Sequence, residues 1–134
     1  MFKITILFLI LSFSQFAIGQ LDIEKYAGKK YRSFYKAVSK DSTFVGCRVL
    51  RARPNKVTGV ELFFKNDIHY VVSFTKGKLD DGYTCESKNL RGMTIYVIHY
   101  YKEDVYQNGY CKCTDSEKAR LIEPLIKKVE LEEE

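Results

Sequence analysis

Ile23-Glu24-Lys25-Tyr26-Ala27-Gly28-Lys29-Lys30-Tyr31-Arg32-Ser33-Phe34-Tyr35-Lys36-Ala37-Val38 admits two readings that lead to different folds. Ile23, Tyr26, Ala27, Tyr31, Phe34 and Val38 recur at helical spacing, whereas Tyr31, Ser33, Tyr35 and Ala37 alternate as a strand does. Gly28 weakens any helix drawn through it. With the clearest helix signal confined to residues 114–129, residues 30–38 are read as extended. A continuous helix over 23–39 laid against a sheet is the opposing expectation.

Beyond this stretch the chain reads as strands. Phe44 to Arg53 ends at Pro54-Asn55, and Val60 to Lys65 leads through the turn Asn66-Asp67 into Ile68 to Thr75. Gly82 to Lys88, Met93 to Tyr101 and Val105 to Cys113 follow, which makes seven short strands with residues 30–38. Thr114 to Glu117 fits a capping box, and Leu121, Ile122, Leu125, Ile126 and Val129 form one apolar helical stripe. Pro124 should kink or restart that helix. The expected fold is a small antiparallel β-barrel or half-barrel with a C-terminal amphipathic helix.

Ahead of the deciding stretch, Met1-Phe2-Lys3 and the apolar run Ile4 to Ile18 read as a secretory leader. Ala17 and Gly19 supply the small residues of a cleavage site. No second apolar run follows, and neither a membrane nor a multidomain enzyme is expected. The expected product is residues 20–134, one secreted domain whose acidic tail carries Glu130 and Glu132–Glu134.

The whole chain has 22 Lys+Arg against 17 Asp+Glu, a formal charge of +5. Arg48, Arg51 and Arg53 lie on one strand and raise a nucleic-acid or heparin reading. No basic and aromatic residues interleave there as a stacking groove requires, so a solvated sheet face is expected and nucleic acid is not. Four cysteines, Cys47, Cys85, Cys111 and Cys113, read as two disulfides with three possible pairings. Their spacing with the two histidines matches no zinc motif, and neither metal nor cofactor is expected.

Catalysis has no sequence support. His69 and His99 each sit in a strand, and Gly77 and Gly82 stand alone in turns. Asp80-Asp81 and Glu103-Asp104 suit solvated turns. Binding is expected instead. Val60, Leu62 and Phe64 share a strand face, as do Tyr70, Val72 and Phe74, and as do Tyr96, Ile98 and Tyr100. Phe64, Tyr70, Phe74, Tyr96 and Tyr100 are the candidate ligand-binding residues, rings giving area and hydroxyls giving orientation. The same faces could equally fill a solid core.

Two family resemblances sharpen these expectations. Asp22, Lys25, Tyr26, Gly28 and Tyr31 resemble the first lipocalin motif, with Lys30 where that family has Trp. Tyr35 to Val49, with Asp41, Phe44, Gly46 and Cys47, is similar to the divergent salivary lipocalins of ticks. Gly82-Tyr83-Thr84 and Ile95 to Tyr101 resemble later strands of that family. The resemblance implies a monomeric, secreted protein that sequesters a small hydrophobic or amine mediator. It also implies that Cys47 bonds Cys111 or Cys113, leaving the other for Cys85. The second resemblance is to type 2 cystatins, inhibitors of papain-type cysteine proteases. It rests on Arg48 to Arg53, Val57 to Val60 and Phe63-Phe64, with Asn55 to Gly59 standing for the protease-binding loop.

Overall fold

The computed structural model describes residues 22–53 and 55–133; the expected leader, residues 1–19, lies outside them. Five strands, β1 (Phe44–Ala52), β2 (Lys56–Phe64), β3 (Ile68–Leu79), β4 (Ile95–Lys102) and β5 (Val105–Cys111), pair antiparallel in chain order. The molecule is mainly β, as expected, but β1 and β5 do not meet. The sheet is open, and the expected barrel is not closed.

The hairpin turns follow local chemistry. Asn66 (φ 67°) and Asp67 (φ 56°) enter the left-handed region between β2 and β3. Between β4 and β5, Glu103 (φ 53°) and Asp104 (φ 61°) do the same in a two-residue loop, the backbone of a type I′ turn. Asn108-Gly109, a pair that elsewhere marks a turn, does not interrupt β5.

Residues 30–38 are not extended. Tyr31–Val38 forms a helix, α1, and Tyr31, Phe34 and Val38 on its buried face are wholly removed from solvent. Burying each large side chain contributes about 1.5–3 kcal/mol, which a strand placing Ser33 and Ala37 inward could not match. Nor do residues 23–39 form one helix. Ile23–Tyr26 is a separate 3₁₀ turn, and Gly28 at φ 82° breaks the chain between the two. The break has its own partners. Gly28 N–H donates to the Ile95 carbonyl (2.9 Å), Ile95 N–H to Lys29 (2.8 Å) and Tyr31 N–H to Met93 (2.8 Å).

α1 lies on one sheet face. Tyr31 meets Phe74 with ring centroids 5.6 Å apart, and Phe34 meets Tyr70 at 6.2 Å. Val60, Leu62, Val72 and Ile98 complete this core without solvent exposure.

The Gly82 to Lys88 stretch is a loop rather than a strand. Asp80 Oδ1 accepts from Gly82 N–H (3.1 Å), and Ser87 Oγ accepts from Thr84 N–H (2.8 Å). These side-chain turns lead into the four-residue helix α2 (Lys88–Arg91), anchored by the buried Leu90.

At the other end, Thr114 Oγ1 accepts from Glu117 N–H (3.2 Å) and starts α3 (Asp115–Leu121). The chain restarts as α4 (Glu123–Glu133) with Pro124 in its first turn. Ile122, between the two, packs over Gly109 of β5. A Cβ at Gly109 would come within 2.8 Å of Ile122 Cγ1.

The disulfides overturn the pairing that the first resemblance implied. Cys47 bonds Cys85, and Cys111 bonds Cys113. Arg51 explains the first, because its guanidinium donates to Asp80 Oδ2 (2.6 Å) and to the Tyr83 carbonyl (2.9 Å). That holds the loop carrying Cys85 against β1. For the second, residues i and i+2 of a strand share a face, and the chain bends just beyond Cys111. Two disulfides are consistent with an oxidising compartment.

Candidate functional site

Of the five expected ligand residues, four lie on the α1 face of the sheet. Phe64 and Phe74 belong to the buried core, with Tyr70 and Tyr100 beside them. Ring centroids are 5.2 Å apart for Phe64–Tyr70 and also for Tyr70–Tyr100. Burial raises the Tyr70 hydroxyl well above the ordinary tyrosine range, and it does the same to Tyr31. Phe74 and Tyr70 pack against Tyr31 and Phe34 of α1, and Phe64 and Tyr100 flank Tyr70.

Tyr96 leaves the set. Ser73 pairs with Val97 and Phe74 with Ile95, so Tyr96 is the extra residue of a β-bulge. Its hydroxyl donates to Glu117 Oε2 of α3, a bond that raises the phenol and lowers the carboxyl from their ordinary values.

The opposite sheet face carries polar aromatic chemistry. His69 stacks flat on Tyr101 with centroids 4.7 Å apart, and His69 Nε2 lies 3.6 Å from Glu61 Oε2. Glu61 is buried and pairs with Arg48. Arg51 pairs with Asp80, whose carboxyl that bond holds below its usual range. Two of the three arginines that raised the heparin reading are thus neutralised. Among the described residues no group of three His, Cys, Asp or Glu could hold a metal.

The free positive charge gathers elsewhere. A cleft between α1 and α2 is lined by Arg32, Lys36, Lys88 and Arg91, with Ser33, Ser39 and Tyr35 among them. Arg32 and Lys36 stand four apart on the outer side of α1, and Lys88 and Arg91 three apart on α2, so each pair occupies one helix face. None of the four is in an ion pair among the described residues. Arg91 lies over the Tyr35 ring (5.8 Å to the centroid), and Tyr35 Oη donates to Glu86 Oε1 at 3.1 Å. The ring is thereby fixed and covered.

Sequence reasoning missed this cleft. It assigned α1 to a strand and ended another strand at Lys88, so the two basic pairs were never placed side by side. The four-residue spacing of Arg32 and Lys36 was the available signal.

The loop expected to enter a protease lies within the sheet. Val57 is wholly buried in β2, and a Cβ on Gly59 would run into the Val72 carbonyl oxygen. No family model, no curated protein and no solved structure matches this chain.

Proposed function

We propose that this chain is a secreted binding protein, not an enzyme, whose ligand is a sulfated polysaccharide held in the cleft between α1 and α2. The observation that carries the reading is four cations facing one cleft, none of them in an ion pair among the described residues. Sulfate groups carry permanent negative charge and accept hydrogen bonds from guanidinium, ammonium and hydroxyl donors. The open cleft suits a chain that passes through it. Two disulfides accord with the compartment in which such polysaccharides occur.

Other ligands draw less support. The packing of Tyr70 and Phe74 against α1, with Phe64 and Tyr100 beside Tyr70, argues against an enclosed apolar ligand. The burial of Val57 and Gly59 argues against insertion into a protease. Nucleic acid would need an open ring for base stacking, and Arg91 covers Tyr35.

Heparin-affinity chromatography tests the reading. The chain should be retained and should elute at markedly lower salt once Arg32, Lys36, Lys88 and Arg91 are replaced by Ser. Replacing four exposed lysines elsewhere, Lys65, Lys102, Lys127 and Lys128, by Ser should change elution far less. Equal losses in the two variants would mean that net charge alone drives binding, and the proposal would fall.

A further inference from the structure

The two disulfides stand in unlike surroundings. Cys85 is buried in the core cluster, and its bond to Cys47 closes a long loop, 38 positions apart. Cys111 and Cys113 are only partly buried, and their bond spans Lys112 alone. Opening the first frees a long loop in the unfolded chain. Opening the second frees far less, so the fold offers it less thermodynamic protection.

Cys111 also lines a surface cleft with Glu24, Asn108, Tyr110, Lys118, Ile122 and Glu123. The cleft gives an incoming thiol a route to the bond. Accessibility and weak topological protection coincide at this one cysteine pair.

We infer that Cys111–Cys113 is a thiol–disulfide exchange site that passes its disulfide to an extracellular thiol or dithiol. A thiolate entering by the cleft attacks Cys111 Sγ, the Sγ–Sγ bond breaks, and Cys113 leaves as the thiolate. A second thiolate attacks the external sulfur of the mixed disulfide and expels Cys111. Two external thiols become one disulfide, and the protein pair takes up the two electrons and two protons. Each molecule delivers one disulfide, and Cys47–Cys85 stays closed throughout.

Graded exposure of the folded, oxidised chain to reduced glutathione, followed by acid quench, alkylation and peptide mapping, tests this. Cys111 and Cys113 should be labelled at thiol concentrations about tenfold or more below those that label Cys47 and Cys85, with circular dichroism unchanged. Labelling of all four together, or labelling of Cys111 and Cys113 only as structure is lost, would overturn the inference. A dithiol peptide should be oxidised by the wild-type chain and not by the Cys111→Ser/Cys113→Ser variant; equal oxidation by both would also overturn it.

Discussion

His99 Nδ1 and Tyr106 Oη lie 2.8 Å apart across the β4–β5 pair, joined by one hydrogen bond on the sheet face opposite α1. Burial lowers the imidazole below its ordinary value of 6.5 and raises the Tyr106 hydroxyl, so both groups are held neutral. The folded chain therefore binds the His99 proton less readily than the unfolded chain. This contribution is complete above the unfolded value and drains away as pH falls below it toward the lowered folded value. Thermal unfolding midpoints should drop between pH 7.5 and pH 5, and the drop should shrink in His99→Gln. The same pH slope in both proteins would contradict this.

The turn at Glu103-Asp104 predicts a gain. Both residues adopt positive φ, at 53° and 61°, where a β-carbon is unfavourable and Asn-Gly is preferred. Glu103→Asn with Asp104→Gly should stabilise the fold by about 1 kcal/mol. A higher urea midpoint at unchanged slope is the expected result. A lower midpoint would mean that the native side chains make contacts worth more than the strain.

α1 predicts a loss. Phe34 is fully buried and meets Tyr26 at 5.2 Å and Tyr70 at 6.2 Å between centroids. Phe34→Ala should cost about 3–5 kcal/mol, a large part of the stability of a domain this size. Ser33→Ala, on the exposed side of the same helix, should change the unfolding midpoint little. Equal effects would return residues 30–38 to the strand reading.

The particular residues show why the strands were legible and the site was not. Val60, Leu62 and Phe64, and then Tyr70, Val72 and Phe74, alternate over enough positions for one period only, and turn residues separate the two runs. Tyr31 fits both periods, continued by Phe34 and Val38 as a helix and by Ser33, Tyr35 and Ala37 as a strand. The decision came from tertiary packing, since only a helix buries Tyr31, Phe34 and Val38 together. Gly28 broke the helix without abolishing it. One β-bulge moved Tyr96 off the face that alternation assigned it. The basic cleft needed both errors of assignment removed, because half of it lies on α1 and half on α2. Disulfide partners depend on the Arg51–Asp80 tether, a contact between residues 29 positions apart that no local pattern encodes.

The disulfides yield the last prediction, in stability rather than exchange. In the loop-entropy model a bond stabilises according to the length of chain it closes in the unfolded state. For a separation of 38 the contribution is about 4 kcal/mol, and for a separation of 2 it is about 1.5 kcal/mol. Cys47→Ala/Cys85→Ala should therefore lower the guanidinium midpoint more than Cys111→Ser/Cys113→Ser does. The first pair also removes a buried side chain from the core and releases the loop that carries α2. Its loss should weaken heparin retention through the basic cleft, whereas loss of the second pair should not, since Cys111 and Cys113 lie outside that cleft. If both double variants lost stability equally, or if heparin retention followed Cys111–Cys113 instead, the link between Cys47–Cys85 and the cleft would be wrong.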